Sequence, residues 1–318
     1  MKSVGFPVSN KENELRRALI PEHLGRIRNT GMLFFEKGYG EVLGFGDDAY
    51  RRYGVHFASR EEVLQKDIIC DAKIGDADYL DELKEGQTIF GWVHLVQNRD
   101  ITDKVLHNGL TAYCWEDMFD KGRHCFWRNN EMAGEAAIMH AFQCYGEMPY
   151  NTKVALIGRG NVANGALRIL TCLGADVTIY NRRMEKLLRE ELQQYHVIVN
   201  ALLWDTTRKD HIIYREDLKR MLPNSLIIDI SCDRAGAIET SVPTTIEAPT
   251  YMVEGVMHYV VDHTPSLFFK TASKGISQEV SRYIDQLIEE APGEVLKRSI
   301  GIDKGCIVDN RIIEFQGR

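Results

Sequence analysis

The sequence has no apolar run of 18 residues that could cross a membrane and no early apolar region of the kind that a secretion signal has. Its seven cysteines are odd in number, scattered along the chain, and never arranged as a C-x-x-C pair. This pattern argues against a disulfide framework and against a zinc site, and it favours free thiols in a reducing cytosol. We therefore expect a cytoplasmic protein that has no secretion signal, no membrane partner and no bound metal.

An excess of positive charge is also missing, because the 318 residues carry a formal net charge of −7. Without a basic surplus the sequence has no electrostatic footprint for nucleic acid, so we expect no nucleic-acid partner. No internal repeat or low-complexity stretch interrupts the chain. With 44% hydrophobic and 27% charged residues, the composition is typical of a soluble globular enzyme, and the length suits two domains.

Short apolar runs alternate with helical segments along most of the chain, which favours an α/β fold with parallel sheets. The strand candidates are SVGFPV, MLFFEKGYG, DIICDAKIG, QTIFGWVHLV and LTAYCWE in the first part, and VALIG, DVTIYN, HVIVNALLW and LIIDIS in the second. We predict two Rossmann-like domains with parallel sheets. The dinucleotide-binding domain spans residues 140–262 and is inserted in a catalytic domain made of residues 1–139 and 263–318.

Three helices are predicted from local signals. Pro21 starts one that extends to Arg28, since proline is tolerated in a first turn. Asn129-Asn130-Glu131 opens a second, with asparagine as the cap. The tail segment SKGISQEVSRYIDQLIEE is amphipathic, and we expect this third helix to pack on the catalytic domain.

A glycine-rich turn carries the strongest motif of the chain. Gly158-x-Gly160-x-x-Ala163 follows an apolar strand and opens a helix, which is the context that a dinucleotide fingerprint requires. Gly158 permits a tight turn, Gly160 lets the backbone approach a pyrophosphate, and Ala163 allows close packing of helix on strand. Because a helix N-terminus favours an anion, we expect Asn161 and Val162 to take part in binding the cofactor.

The strand that follows this helix ends in Asn181-Arg182-Arg183, where an NAD-binding unit has an acidic residue. An Asp or Glu there would accept the ribose hydroxyl of NAD and repel the 2′-phosphate of NADP, whereas an arginine fork suits a phosphate. We therefore predict NADP as the cofactor, with Asn200, at the end of the next strand, as a further binding residue. In the alternative, NAD binds and the arginines are solvated residues at a helix start.

Four residues that could carry chemistry stand where predicted strands end or loops begin: Arg16, Lys73, His94 and Asp233. A lysine and a histidine at the ends of apolar strands are costly unless they are paired or functional. Each residue also has a structural explanation when it is taken alone, such as a hydrogen-bonded core histidine. By composition, Arg17 is as good a candidate as its neighbour Arg16.

The segments NELRRALIP, DAKIGD, FGWVHL and NEMAGEAA, with the run CDRAGAIETSVPTT, resemble those of alanine dehydrogenases and the related transhydrogenase subunits. The resemblance covers nearly the whole chain. It implies that Arg16 binds the substrate carboxylate and that Lys73 binds the substrate. It also implies that His94 is the catalytic histidine and Asp233 the aspartate of a catalytic loop. A homo-oligomer is implied as well, because members of this family form dimers, tetramers and hexamers.

Two departures from alanine dehydrogenases are informative, namely the direct passage QCYGEMPYNTKVALIG into the dinucleotide strand and the strand end Asn-Arg-Arg. Both resemble a branch of the family that uses NADPH to condense pyruvate reductively with the side-chain amine of ornithine or lysine, and we expect that reaction. The alternatives are an alanine dehydrogenase that uses ammonia, a saccharopine- or opine-type dehydrogenase, and a non-catalytic NADP-binding protein. Trp204 and Asp205 stand at a strand end, either near a second substrate or in a loop turn.

Overall fold

A computed structural model describes residues 1–205 and 208–318. The chain forms two compact units: unit 1 comprises residues 1–127 and 269–318, and unit 2 comprises residues 128–268. The sequence predicts these boundaries at 139/140 and 262/263. The compact units divide at 127/128 and 268/269, so the helix Trp127–Tyr145 lies almost wholly in unit 2.

Strands and helices alternate along most of the described chain, as expected for an α/β fold. The strands are β1 (Val4–Phe6), β2 (Leu33–Glu36), β3 (His56–Ala58), β4 (Ile68–Cys70), β5 (Thr88–Gly91), β6 (Thr111–Cys114), β7 (Phe119–Asp120), β8 (Arg123–His124), β9 (Lys153–Ile157), β10 (Asp176–Tyr180), β11 (Val197–Asn200), β12 (Leu226–Asp229), β13 (Thr250–Val253), β14 (Val256–Tyr259), β15 (Ile300–Asp303) and β16 (Cys306–Ile307). The helices are α1 (Pro21–Leu24), α2 (Asp47–Arg51), α3 (Arg60–Leu64), α4 (Arg99–His107), α5 (Trp127–Tyr145), α6 (Asn161–Cys172), α7 (Glu185–Glu191), α8 (Phe269–Ile288), α9 (Glu294–Arg298) and α10 (Asn310–Gln316).

Unit 1 is built on a sheet with the strand order β16-β15-β6-β5-β4-β1-β2-β3. The strands from β1 to β6 pair in parallel, as the sequence predicts. One edge of the sheet is antiparallel, because β15 pairs antiparallel with both β6 and β16. The turn between β15 and β16 consists of Lys304 and Gly305, both with left-handed backbone, and so short a turn can only join antiparallel strands.

Unit 2 is built on a sheet with the strand order β10-β9-β11-β12-β14-β13, parallel except for the edge strand β13. The chain passes from β9 to β10 on one side and later to β11 on the other side. In unit 1 the same reversal of direction occurs between β1 and β4. Ligands of parallel α/β sheets bind at such reversal points, outside the carboxyl ends of the strands, so each unit has one natural place for a site.

Two of the predicted helices differ from the structure. The helix that starts at Pro21 ends at Leu24 rather than at Arg28, because Gly25 follows and glycine disfavours helix continuation. Helix α5 begins at Trp127, so Asn129 and Asn130 lie inside its first turn and do not cap it. Asparagine is favoured at a cap but is tolerated within a first turn, so the cap signal alone does not set a helix start.

The predicted tail helix is α8, which starts at Phe269, four residues before the predicted segment, and belongs to unit 1. Its buried face includes Ile276, Val280 and Ile284, which join the same apolar cluster as Phe6 of β1. Among the described residues no helix is long and apolar enough to span a bilayer.

Candidate functional site

Three of the four candidate catalytic residues lie at the carboxyl edge of the sheet in unit 1. Arg16 follows β1, Lys73 follows β4 and His94 follows β5. These strands are neighbours in the order β5-β4-β1, and all three run in the same direction. The structure therefore brings these side chains to one edge, at the reversal point between β1 and β4.

Arg16 is held by an acidic partner two residues away. Its Nε lies 2.8 Å from Oε1 of Glu14 and its Nη2 lies 2.5 Å from Oε2, while its guanidinium stands 5.2 Å from the ring centre of Trp92. Burial opposes ionisation of Glu14, but the charge and hydrogen bonds of Arg16 lower the pKa of this carboxyl below its ordinary value. The Nε–Nη2 edge of Arg16 is thus fixed, which orients the whole fork.

Arg17 is bound in a different way, although it is equally buried. Its Nε donates to the carbonyl oxygen of Tyr39 at 2.6 Å, and its Nη1 donates to the carbonyl oxygen of Arg16 at 3.0 Å. Its backbone N–H donates to the hydroxyl of Ser273 on α8. These bonds give Arg17 a structural explanation, since carbonyl groups satisfy a buried guanidinium, and they favour Arg16 as the carboxylate-binding residue.

Lys73 lies beside a carboxylate that two lysines share. Its ammonium is 2.9 Å from Oδ2 of Asp76, and the ammonium of Lys11 is 2.9 Å from the same oxygen. Burial acts to raise the pKa of Asp76, but the two lysines outweigh it and lower this pKa to about 2. Asp76 is therefore ionised at neutral pH, and it holds Lys73 and Lys11 at the same sheet edge as Arg16.

A glycine lets the loops that carry Lys73 and His94 approach each other. The N–H of Gly75 donates to the carbonyl oxygen of Trp92 at 3.0 Å. A Cβ at Gly75 would lie 2.3 Å from the carbonyl oxygen of Val93, closer than any side chain tolerates. A larger residue at this position would push the two loops apart.

His94 has a left-handed backbone with φ of +57°, a conformation that costs a non-glycine residue about 1–3 kcal/mol. The carboxylate of Glu116 offsets this cost, because it accepts the N–H of His94 at 2.5 Å and the N–H of Val93 at 3.3 Å. Burial raises the pKa of Glu116 to about 7, and the nearby Asp117 adds to the effect. Glu116 therefore clamps the turn that presents the candidate acid–base residue.

Asp233, the fourth candidate, lies in unit 2 on the loop that follows β12. Its side chain is half-buried. Burial and the charge of Asp229 raise the pKa of Asp233 to about 7. A carboxyl group that titrates near neutrality can donate or accept a proton under working conditions, which suits the predicted role in a catalytic loop.

The glycine-rich turn of unit 2 has the geometry that a pyrophosphate requires. Gly158 has φ of +122°, and a Cβ there would lie 2.7 Å from the carbonyl oxygen of Ala201. Gly160 precedes α6, and a Cβ built on it meets nothing within 4 Å. Among the described residues no side chain caps this helix end, so the N–H groups of Asn161 and Val162 are placed for an anion. The turn therefore fits a dinucleotide.

The polar residues beyond β10 are arranged around an open surface. Oδ1 of Asn181 accepts the backbone N–H of Arg183 at 2.9 Å, and Nη2 of Arg182 donates to the carbonyl oxygen of Leu203 at 2.9 Å. Both arginines are exposed, so a phosphate could reach them. Asn200 differs from this group, because it is buried and its Nδ2 donates to Asp229 at 2.8 Å.

Trp204 packs as a core residue of unit 2. The guanidinium of Arg208 stands 4.5 Å from its ring centre and pairs with Glu185 and Asp210. This packing favours a structural role for Trp204 over contact with a second substrate. Asp205 ends the first described range. Within the two described ranges, no three His, Cys, Asp or Glu side chains form a group that could hold a metal ion.

Sequence reasoning missed the acidic partners of the candidate residues. Glu14 and Asp76 had a local signal, because each lies two or three residues from the cation that it binds. Glu116 and Asp229 had no such signal; Asp229 is the last residue of β12, and Glu116 comes two residues after β6. Glu116 is 22 residues from His94, and only the parallel pairing of β5 with β6 brings the two together.

Comparison with known proteins identifies the family. Residues 5–127 match the model of the alanine dehydrogenase/PNT N-terminal domain, and residues 184–315 match that of the alanine dehydrogenase/PNT C-terminal domain. An N(5)-(carboxyethyl)ornithine synthase of Clostridium botulinum is 33% identical over 88% of this chain and 93% of its own. The chain belongs to the alanine dehydrogenase/PNT family.

Other members of the alanine dehydrogenase/PNT family are also similar. An N(5)-(carboxyethyl)ornithine synthase of Lactococcus lactis is 30% identical over 88% of this chain and 94% of its own. Alanine dehydrogenase 1 of Staphylococcus aureus is 24% identical over 96% of this chain and 93% of its own. A solved L-alanine dehydrogenase aligns with a TM-score of 0.83 at 20% identity over 99% of both chains, which agrees with the α/β fold. These relatives are thus named as synthases and as dehydrogenases.

Proposed function

We propose that the protein is an NADPH-dependent oxidoreductase that condenses pyruvate with the side-chain amine of ornithine or lysine and yields an N-(carboxyethyl) amino acid. The names of the two relatives at 33% and 30% identity support this class of reaction. The observation that carries the proposal is the pairing of two buried cations with acidic residues at one sheet edge, Arg16 with Glu14 and Lys73 with Asp76.

Arg16 would bind the carboxylate of the 2-oxo acid. Glu14 binds Nε and Nη2 of its guanidinium and so fixes the orientation of the fork that would meet the substrate. A planar fork of this kind fits a carboxylate with two parallel hydrogen bonds, which fixes both the position and the orientation of the 2-oxo acid.

Lys73 and His94 would activate the keto group. The ammonium of Lys73 donates a hydrogen bond to the keto oxygen, and the amine attacks the keto carbon to form a carbinolamine. His94 donates a proton to the departing hydroxyl, so that water leaves and an imine forms. Asp233, with a pKa raised to about 7, positions the incoming amine or a water, accepts the proton that the amine releases, and passes it to the oxygen of the carbinolamine.

The bound dihydronicotinamide supplies the hydride that reduces the imine carbon. The turn from Gly158 to Val162 would hold its pyrophosphate on the N-terminus of α6. Asn181, Arg182 and Arg183 would receive the 2′-phosphate, since the end of β10 is neutral and cationic rather than acidic. Asn200 would contribute from the end of β11, which pairs with the other side of β9, at the same edge of the sheet.

An alanine dehydrogenase that uses ammonia is the second candidate, and the Staphylococcus aureus relatives of that name favour it. It requires the same carboxylate clamp and the same carbonyl activation. A saccharopine- or opine-type dehydrogenase differs only in the substrates that it joins. A non-catalytic NADP-binding protein would not need four candidate catalytic residues, two of them buried cations with ionised partners.

The test is an NADPH-oxidation assay with pyruvate and a panel of amines: ammonia, ornithine, lysine and arginine. Mass spectrometry of the products identifies the amine. We expect an N-carboxyethyl amino acid with ornithine or lysine. Because the amine attacks unprotonated, the rate should rise with pH until the acid of the enzyme is lost. Formation of alanine alone, with no N-carboxyethyl product, would contradict the amine assignment.

We also infer that the protein works in the cytoplasm as a homo-oligomer. All seven cysteines are free thiols, three of them buried, as suits a reducing compartment. Cell fractionation and light scattering on the purified full chain test these two inferences. A periplasmic or secreted pool, or a monomer at working concentrations, would overturn the respective inference.

A further inference from the structure

Asp229, the last residue of β12, is the centre of a hydrogen-bonded network in unit 2. Its side chain is almost fully buried, with 1% exposed. Oδ1 accepts Nδ2 of Asn200 at 2.8 Å and the N–H of Cys232 at 3.4 Å, and Oδ2 accepts the hydroxyl of Ser241. These donors come from three places in the chain, so one carboxylate ties together β11, the loop after β12 and the segment at 241.

The loop that Asp229 holds is the one that carries Asp233. Cys232 and Ala235 have left-handed backbones, with φ of +57° and +47°, although neither is a glycine. The N–H of Ala235 donates to the carbonyl oxygen of Ser241 at 3.1 Å, which closes the loop on the same residue that donates to Asp229. A loop with two such conformations persists only when its surroundings determine it. Asp229 supports the loop at two points, because it accepts the N–H of Cys232 and the hydroxyl of Ser241.

We propose that Asp229 is a positioning residue for Asp233: it fixes the loop that presents Asp233 and places a second negative charge beside that carboxyl. The proposal rests on the function assigned to Asp233 above. Asp229 itself would touch neither substrate nor cofactor, because its oxygens are occupied by the protein. Its effect on the reaction would pass through Asp233.

The electrostatics of the pair agree with this arrangement. Burial raises the pKa of Asp229, and hydroxyl, amide and backbone N–H donors oppose this rise. Because no such set of donors among the described residues acts on Asp233, the negative charge of the pair resides first on Asp229. Asp233 then keeps its proton to a higher pH, because it is partly buried and lies close to a charge of the same sign. The two carboxyls titrate as a coupled pair, and the upper step belongs mainly to Asp233.

The other titratable groups around the loop are Cys232, Arg234 and Tyr251. Burial raises the pKa of Tyr251, whose hydroxyl donates to the carbonyl oxygen of Thr240 at 2.8 Å. Tyr251 is therefore neutral at working pH. Arg234 is exposed. Among the described residues of unit 2, Asp229 is therefore the group whose charge raises the pKa of Asp233.

The test is direct titration of the aspartate carboxyls in the full-length protein labelled with ¹³C at the aspartate carboxyl, with Asp233→Asn to assign the resonance. In Asp229→Asn, which keeps the shape of the side chain, the Asp233 titration should move down by about one pH unit, because the like charge is gone. In Ser241→Ala, the lower titration of the pair, that of Asp229, should move up, because the hydroxyl that favours ionised Asp229 is lost.

Ser225→Ala is the matched control, since it removes a buried hydroxyl at the other end of β12 that has no hydrogen-bond partner among the described residues. It should leave the titration unchanged. A lowered Asp233 titration in Asp229→Asn, together with a raised Asp229 titration in Ser241→Ala, supports the proposal. An unmoved Asp233 titration in Asp229→Asn overturns it. If that variant does not fold, an unmoved or lowered Asp229 titration in Ser241→Ala overturns it. Neither outcome depends on the amine that the enzyme uses.

Discussion

The two units use the same device to hold a turn at the carboxyl edge of a parallel sheet. In unit 1 the half-buried Glu116 accepts the N–H of His94, and in unit 2 the buried Asp229 accepts the N–H of Cys232. Both residues that donate have left-handed backbones with φ of +57°. In each unit the carboxylate comes from the end of a strand, or just beyond it, and the turn carries or adjoins a candidate acid–base residue.

The electrostatic surroundings of the two turns differ. In unit 1 each candidate cation has an ionised acid beside it, and burial does not neutralise either pair. In unit 2 the candidate residue is a carboxyl that lies near another carboxyl, which raises its pKa. The same fold thus serves two purposes. Unit 1 presents paired cations at its sheet edge, and unit 2 presents a carboxyl whose pKa lies near neutral pH.

The largest effect should follow removal of the acid–base group of unit 1. His94→Ala should lower kcat by roughly 10²–10⁴, because proton transfer to the departing hydroxyl is lost. The affinity for NADPH, measured by fluorescence titration, should stay close to that of the wild type. A variant that turns over at the wild-type rate would show that His94 is structural.

The adjacent arginines allow a sharper test of the carboxylate clamp. Arg16→Lys should raise KM for pyruvate about tenfold or more, because a charge-assisted hydrogen bond contributes about 1.5–3 kcal/mol and lysine cannot form the fork. The matched variant Arg17→Lys should lower Tm instead, since it removes bonds to the carbonyl oxygens of Tyr39 and Arg16. If only the substitution at Arg17 changed KM, Arg17 would be the carboxylate-binding residue and Arg16 the structural one.

In unit 2 the corresponding test concerns the cofactor. Arg182→Ala should reduce the preference for NADPH over NADH about tenfold, measured as the ratio of kcat/KM values, because one cationic donor to the 2′-phosphate is lost. Lys186→Ala removes another exposed cation from the same region and serves as the control. Equal kcat/KM for the two cofactors in the wild type would exclude the proposed phosphate site.

The smallest expected effect is the dependence of stability on pH. The pKa of Glu116 rises from an ordinary 4.5 to about 7 in the fold, so the folded state retains a proton that the unfolded state loses. The contribution of Glu116 to the free energy of unfolding therefore falls as the pH rises from 4.5 to 7, and it is constant above pH 7. Glu116→Gln cannot ionise and should flatten this part of the profile, measured by urea unfolding at a series of pH values.

Asp76 should act in the opposite direction. Its pKa falls from an ordinary 3.8 to about 2, so it stabilises the fold above pH 3.8 and loses this contribution as the pH falls through 2. Asp76→Asn should flatten the acid part of the same urea profile and leave the part above pH 5 parallel to that of the wild type. If both variants changed the same pH range, the electrostatic contrast between the two carboxyls would be wrong.

Much of the fold could be predicted because its signals are local. The strand, glycine turn and helix around Gly158 and Gly160 are adjacent in the sequence, and the alternation of apolar runs predicts the parallel sheets. The start of α5 was missed, since Asn129 and Asn130 are equally acceptable inside a first turn. The antiparallel edge strands were not predicted from the sequence. The short turns at 304–305 and 254–255 join β15 to β16 and β13 to β14, and these short strands have little apolar periodicity.

The sequence by itself determined the fold class, the dinucleotide turn and the residue types at the candidate site, because these depend on spacing along a few neighbouring residues. Arg16 and Arg17 show what it could not determine, since two adjacent arginines have the same composition and nearly the same burial. Only the tertiary structure decided which one lies against a carboxylate and which against backbone carbonyls. The clamps on His94 and Asp233 were decided in the same way. A buried charge or a left-handed turn is stable only beside its partner, and parallel strands bring those partners from distant parts of the chain.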